Sequence, residues 1–312
     1  MIATSPIAER LSALRRRLDE LGLDAVFVPT EDPHQSEYLP PCYDRRPFIS
    51  GFDGSAGTAM VGREKAWLVA DSRYWIQAER QLDDDLYELG RLGSKDVPEG
   101  DAWLSSRLER GQVLGVDART VTIQKASKLK RLADKHGLEL KMLDENPIDA
   151  AWSDQPERPD APLQVLAESF AGESVSSKLT RVREALAEEG CTACVLTTLD
   201  QLAWLFNLRG RDVEYNPVFL GFAIVTEGAC TLFVDEGKLT GEVRAALPEV
   251  TFAAYDGFAE GLAGLASEKT KVWVDPRSCS AWVEQALDGC SLHQAIKPGD
   301  RPWTMRVLPI AG

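Results

Sequence analysis

Histidine is the scarcest chemically versatile residue in this chain of 312 amino acids: His34, His136 and His293 are all it contains. Acid–base and metal-hydrolase sites draw heavily on imidazole, whose pKa lies near neutrality and whose neutral nitrogen binds metal. A site built from several histidines is therefore excluded. Positive charge is also in deficit: 35 Lys and Arg face 49 Asp and Glu, a net charge of −14, which repels a phosphate backbone or an anionic bilayer. Neither nucleic acid nor membrane is expected as a partner. No run approaches the ~20 apolar residues that span a bilayer. The opening MIATSPIAERLSALRRRLDE lacks the apolar stretch of a secretion signal, so the expected location is the cytoplasm. The six cysteines, Cys42, Cys191, Cys194, Cys230, Cys279 and Cys290, are too few and too scattered for a disulfide framework. Cys191-Thr-Ala-Cys194 has the form C-x-x-C, but zinc requires a second ligand pair and a thioredoxin-like site requires a helix beginning at the first cysteine. This pair instead opens the apolar run Ala193–Leu196, so both are read as small buried residues.

What the chain does have is an internal repeat. Ser5-Pro6 is a helix-start pair, and Ile7, Leu11, Leu14, Leu18 and Leu21 follow at steps of four, three, four and three, one face of a helix that Gly22 ends. A short buried strand, Leu23–Pro29, comes next. The same order returns 168 residues later. Ser176 or Ser177 caps a helix carrying Leu179, Val182 and Leu186, Gly190 closes it, CTACVLT forms the strand, and Asp200 stands where Asp32 stood. WLVAD ending at Asp71, followed by a helix through Gln77–Leu82, matches TLFVD ending at Asp235, followed by a helix through Leu239–Leu247. LGVDARTVT around Asp117 matches VWVDPRSCS around Asp275, and helices Ile123–Lys135 and Ala281–Leu287 follow. Each copy has a hairpin-like middle, Gly57–Val69 and Leu220–Val234, so the pattern predicts an α/β fold of two similar domains, each a mixed sheet flanked by helices. The prolines Pro156, Pro159 and Pro162 make an extended strap, and the boundary falls near Ala151–Pro162. The domains are taken as 1–152 and 153–312.

Two segments are chemically distinctive. Gly51-Phe52-Asp53-Gly54-Ser55-Ala56-Gly57 places three glycines in seven residues. Its spacing is not the dinucleotide-binding G-x-G-x-x-G, and a strand rather than a helix follows it. The nucleophile elbow G-x-S-x-G fails because Asp53 stands two residues before Ser55. A tight turn feeding a hairpin strand is the simpler reading, and a hydrolase using Ser55 with His34 is the catalytic alternative. The second segment, Trp204–Phe219, sets Arg209, Arg211, Asp212, Glu214, Tyr215, Asn216 and Pro217 in one loop. Such a mixture suits binding, or Arg209 or Arg211 pairs with Asp212 or Glu214 and only fixes the loop.

The stretches HQSEYLPPCYDRRPFISGFDGSAGTAMV (34–61), DSRYWIQAERQLD (71–83), DENPIDAAWSDQPERP (144–159), LDQLAWLFNLRGRDVEYNPVF (199–219) and WVDPRSCS (273–280) together resemble one family. It is the cytosolic three-domain Xaa-Pro aminopeptidases, or aminopeptidase P, relatives of prolidase and creatinase. The resemblance spans about Leu11 to Lys297. It implies two domains of the creatinase N-terminal type, in agreement with the repeat. One departure is Ser72, where the family generally has glycine after the aspartate.

The resemblance also implies that the reaction, removal of an N-terminal residue that precedes proline, is performed elsewhere. In the family two divalent metals, usually Mn(II), are held by two Asp, one His and two Glu in a third, pita-bread domain. That domain is expected to be absent here, with a tail unlike the family from about residue 298 to 312, and no catalytic or metal residue is expected in this chain. The expectation is an inactive N-terminal portion that restricts access to the cleft and supports subunit association, including a homodimer, with proline-second peptides as the substrates of the intact enzyme. The loops expected to face the cleft or an interface are Asp53, Gly54 and Ser55; Arg73 and Tyr74; and Arg209 with Tyr215, Asn216 and Pro217. A standalone peptide- or partner-binding module is the alternative.

Overall fold

Pro6 occupies the first turn of helix α1 (Pro6–Leu21), where a missing N–H costs nothing, and Gly22 ends the helix at φ 67°. Ser5 holds the capping position without a side-chain bond to the helix. Leu11, Leu14 and Leu18 are fully buried and share a core with Val26, Val28, Val61 and Leu68, as the spacing predicts. The computed structural model describes residues 5–97, 100–268 and 270–295.

The first unit is a sheet of six strands: β1 (Ala25–Val28), β2 (Thr58–Gly62), β3 (Ala66–Ala70), β4 (Tyr87–Arg91), β5 (Val113–Asp117) and β6 (Glu139–Leu143). Their order is β4-β3-β2-β1-β5-β6. The contacts β1–β2 and β2–β3 are antiparallel, the other three parallel. Helices α2 (Arg45–Ser50), α3 (Trp75–Gln81), α4 (Ala102–Ser105) and α5 (Ile123–His136) lie in the connections.

The second unit adds a two-stranded ribbon, β7 (Gln164–Val165) with β9 (Leu208–Arg209), to a sheet of β8 (Ala193–Leu196), β10 (Phe222–Thr226), β11 (Cys230–Phe233), β12 (Thr251–Ala253), β13 (Lys271–Val274) and β14 (Ser291–Gln294). The sheet order is β12-β11-β10-β8-β13-β14, again with two antiparallel contacts and three parallel ones. Strand for strand, β8, β10, β11, β12, β13 and β14 repeat β1 to β6. Its helices are α6 (Glu168–Ala171), α7 (Val175–Glu188), α8 (Leu199–Leu205), α9 (Gly241–Ala246), α10 (Phe258–Ser267) and α11 (Ala281–Ala286). The duplication read from the sequence is a duplication of fold.

Two local expectations are corrected. The cap of α7 is Ser174, whose hydroxyl accepts from the Ser177 N–H at 3.2 Å, so Ser176 and Ser177 lie inside the first turn. The helix expected over Leu239–Leu247 is the shorter α9, which starts where the Thr240 hydroxyl accepts from the Val243 N–H at 3.2 Å, and a 3-10 turn, Glu236–Lys238, precedes it. The Asp-x-Arg triplets are turns leaving strands. Asp71, Asp117 and Asp275 accept from the backbone N–H of Arg73, Arg119 and Arg277 at 3.0, 2.8 and 2.9 Å, the Asx-turn geometry. Ser72 sits in the first of these without a positive φ, so that turn has no need of glycine. The segment expected from about residue 298 lies outside the described residues. Among the described residues, no helix is long and apolar enough to cross a membrane.

The compact units do not follow a single cut in the chain. Residues up to Asp32 group with Pro41–Glu157, and Pro33–Pro40 groups with the residues from Arg158 onward. In the second unit His34 is buried, stacked on Phe222 with centroids 4.4 Å apart. Its Nδ1 lies 2.9 Å from the Thr197 carbonyl and its Nε2 lies 2.8 Å from the Tyr255 hydroxyl. Farther along, Arg158 anchors the proline strap, reaching Asp256 at 3.0 Å and Asp235 at 3.3 Å and covering the Tyr255 ring at 4.4 Å.

His34→Ala should cost about 3 kcal/mol, since it strands two buried polar partners and opens a cavity against Phe222. Urea denaturation checks this, and His34→Phe should recover only the packing share.

Candidate functional site

The two distinctive segments occupy the same position in the repeat, the connection from the first strand of each sheet to the second. In the first unit α2 ends at Gly51, φ 79°, and Gly57 precedes β2; in the second, Asn207 at φ 50° follows α8 and Gly221 precedes β10. A Cβ on Gly57 would lie 3.3 Å from the Val69 carbonyl, and one on Gly221 would lie 3.0 Å from that of Phe233. Val69 and Phe233 hold corresponding places in the register, opposite Thr58 and Phe222. Gly54 and Gly210 also match. A side chain on the first would collide with the Phe52 and Tyr74 rings, and one on the second would come within 2.6 Å of Phe219 Cβ and 2.7 Å of the Val218 carbonyl. Asp53 and Arg209, one residue before each, are thus equivalent positions with opposite charge. Two residues separate Gly54 from Gly57, whereas ten separate Gly210 from Gly221, so the second loop carries an added excursion.

In the first loop the expected residues do gather, around the start of α3. Asp53 Oδ1 accepts from Nε2 of Gln77 at 2.8 Å and of Gln81 at 2.7 Å. The hydroxyls of Ser55 and Tyr74 are 2.6 Å apart. Arg73 forks onto Asp71 with bonds of 3.0 and 2.7 Å, which holds the Asp71 carboxyl below its ordinary range. Arg46 lies under this loop. It is buried, its Nη2 donates to the Gly54 carbonyl, and its Cζ is 5.0 Å from the Phe52 ring. Burial lowers its pKa to about 10 against the pull of Asp44, Glu31, Tyr74 and Asp53.

In the second loop Arg209 pairs with neither Asp212 nor Glu214. Its Nη1 donates to the carbonyls of Ala203 and Leu208, both at 2.8 Å, and burial lowers its pKa. Asp212 instead forms an ion pair with Lys238 in which both side chains have 0% exposure, and its Oδ2 also accepts from the Leu220 N–H at 2.6 Å. Burial pushes the Asp212 carboxyl up despite that cation. Above the pair the chain closes a tight turn: Val213 bridges Asn216, and the Gly210 N–H donates to the Pro217 carbonyl at 3.3 Å. At its tip Tyr215 has φ 60° and is 97% exposed.

A third buried cation closes the start of this loop. Lys178 Nζ donates to the Trp204 carbonyl at 2.8 Å and to Asn207 Oδ1 at 2.6 Å, holding Asn207 in its left-handed conformation. Burial lowers its pKa to about 8. Its signal was in the sequence: Lys178 stands four and eight residues before Val182 and Leu186, on the buried stripe of α7. Lys238 and Arg46 carry no such spacing.

Other chemistry is not assembled. The Ser55 hydroxyl meets Tyr74, and both ring nitrogens of His34 are engaged by Thr197 and Tyr255, so the Ser55–His34 hydrolase reading is set aside. Cys191 and Cys194 are buried, and no helix starts at Cys191. Cys42 is also buried, and burial raises the thiols of Cys191 and Cys230, the latter to about 12. Beside the carboxyl ends of β8 and β13, where open α/β sheets bind ligands, Leu196, Gln201, Trp273 and Ser278 enclose about 10 Å³, the space of one water molecule. Among the described residues, no three His, Cys, Asp or Glu side chains group as a metal would require. The described residues do not fit a dinuclear centre.

Two family models, both described as Creatinase/Prolidase N-terminal domain, match residues 10–150 and 154–304. The chain is a tandem of creatinase/prolidase N-terminal domains. The tandem is 44% identical over 243 residues to the Probable Xaa-Pro aminopeptidase P of Sordaria macrospora, covering 77% of this chain and 39% of that one. To the Probable Xaa-Pro aminopeptidase P of Botryotinia fuckeliana it is 43% identical over 272 residues, covering 85% and 41%. It also matches the crystal structure of X-prolyl aminopeptidase from Caenorhabditis elegans, described as a cytosolic enzyme with a di-nuclear active site. There the TM-score is 0.87 at 28% identity, covering 94% of this chain and 51% of that one. The tandem thus spans about two fifths to one half of the length of these relatives, and it corresponds to their N-terminal part.

Asp212→Ala leaves Lys238 charged, buried and alone, and should cost about 3–5 kcal/mol, while Asp212→Leu with Lys238→Met should recover most of that loss. Denaturant titration of the three proteins checks it. Lys178→Met should cost about 2 kcal/mol at pH 7 through two stranded acceptors. Because the folded pKa of Lys178 is depressed, the unfolded chain binds more protons between pH 8 and about 10.5. Parent stability relative to this variant should therefore be flat below pH 8 and rise across that window.

Proposed function

We propose that the tandem is the non-catalytic N-terminal portion of an Xaa-Pro aminopeptidase, shaping access to a catalytic cleft that a following metal-binding domain provides. The observation that carries this is the pairing of two creatinase/prolidase N-terminal domains with 43–44% identity to aminopeptidase P proteins. The substrates are peptides with proline second, and the nucleophile is generated at a pair of divalent metals, Mn(II) in this reading, outside the tandem. The cytoplasm is its location and a homodimer its assembly.

Within that role the loops at Asp53–Ser55, Arg73–Tyr74 and Arg209–Pro217 line the approach to the cleft. The Tyr215 turn supports this reading. A non-glycine residue in the left-handed region costs about 1–2 kcal/mol, and the exposed Tyr215 ring, whose hydroxyl meets the neighbouring Glu214, buries no surface that would offset it. The buried Asp212–Lys238 pair holds the turn rigid, so Tyr215 can meet a peptide without being ordered first. The alternative, a module that binds peptide on its own, predicts the same contact without turnover.

The purified tandem, given Arg-Pro-Pro and Mn(II), should release no arginine. Mixing it with the remaining C-terminal part of the Botryotinia fuckeliana relative and Mn(II) should produce cleavage. Tyr215→Ala should lower kcat/KM about tenfold in the mixture, a share typical of one aromatic anchor, with the melting temperature unchanged. Cleavage by the tandem alone would overturn the reading, and binding of Arg-Pro-Pro with no activity in the mixture would favour the standalone module.

A further inference from the structure

Arg46 is a buried cation whose hydrogen-bonding capacity the fold leaves largely unfilled. Its side chain is 4% exposed. Nη2 has the Gly54 carbonyl, but Nε and Nη1 are buried without any hydrogen-bond partner. Lys178 and Lys238, by contrast, each have bonds that account for their burial. An unpaired guanidinium withdrawn from water is costly, and arginine is suited to receive a planar anion through two parallel N–H groups.

The surroundings give that anion an entry. Nη1 lies 2.7 Å from where a Cβ of Gly57 would stand, beside the edge of the Phe52 ring, so a side chain at position 57 would press on the cation and glycine leaves it open on that side. Between the two glycines sit Ser55, exposed, and Ala56, half-buried. Their main-chain N–H groups donate to no acceptor among the described residues, and the Ser55 and Tyr74 hydroxyls flank them as a pair.

We infer that the Gly54–Gly57 loop is a carboxylate-binding site whose cation is Arg46 and whose ligand is a peptide carboxylate, at a C-terminus or on an acidic side chain. Phosphate is disfavoured by the three carboxylates that face the guanidinium, Asp44, Glu31 and Asp53, which repel a dianion more than a monoanion. The site does not rest on the peptidase reading and needs no metal.

Amide and arginine side-chain NMR spectra of the whole chain, recorded during titration with acetate against chloride at equal ionic strength, provide the test. Saturable shifts are expected at Ser55, Ala56, Gly57 and the Arg46 Nε–H, with phosphate binding more weakly at pH 7. Arg46→Gln should weaken acetate binding at least tenfold. Arg46→Lys, which keeps charge but loses the planar fork, should fall between. Ala-Pro-Gly with a free C-terminus and an amidated Ala-Pro-Glu identify the source, and shifts with either one support the site. An Arg46 Nε–H signal that stays still in the unmodified chain overturns the proposal whether or not the variants fold. So do phosphate binding more tightly than acetate, or indifference to both peptides.

Discussion

In each sheet the chain leaves the first strand, turns through a helix and re-enters as the second strand directly against a carbonyl of the third. Gly57 meets Val69 there and Gly221 meets Phe233, and a Cβ at either position would crowd the carbonyl at 3.3 or 3.0 Å. The remaining structure depends on this closure, because the second strand is the antiparallel partner of both its neighbours, the first and third strands. A register slip of one residue would turn its buried side chains outward. The glycines are therefore conditions of sheet assembly before they are features of a site. Whatever chemistry the loops have is mounted on a position already fixed by packing.

That shared position explains why the two copies diverge where they do. With the glycine anchors in place, the residues between them are unconstrained by the sheet. The first copy uses two residues and presents paired hydroxyls; the second uses ten and raises a tyrosine on a turn. The longer excursion needs its own fixation, and the fold supplies it from beneath with a fully buried ion pair rather than with apolar packing. An ion pair of that kind contributes little net stability, but it tolerates only one arrangement.

The architecture was legible because it rests on periodic features: the leucine stripe of α1, the alternation of strands and helices, and strand-ending aspartates that recur in both copies. The residues that gather at the first loop were legible as neighbours of the glycines. What escaped were contacts without a local pattern. Asp212 looks paired with Arg209 or Arg211 because they are adjacent, yet its partner is Lys238, brought in from beyond the hairpin. The grouping of Pro33–Pro40 with the second unit was equally hidden, since nothing in the spacing of His34 points to Thr197, Phe222 or Tyr255.

The buried cations also show what net charge alone does not convey. A chain with a net charge of −14 should have carboxylates to spare for every internal cation, yet among the described residues only Arg45, on Asp149, and Lys238, on Asp212, take one, while the buried Arg46 and Lys178 do not. Lys178 is held by a carbonyl and an amide, and burial lowers its pKa to about 8, so near-neutral conditions bring it close to losing its proton. Arginine has no such outlet, since it stays protonated across the physiological range and even burial leaves Arg46 at about 10. A lysine can relieve an unmatched charge by deprotonating; an arginine can relieve it only by finding an anion. The same desolvation therefore has different consequences at the two positions. At Lys178 it favours loss of the proton, and at Arg46 it favours a negative partner at the Gly54–Gly57 loop above it.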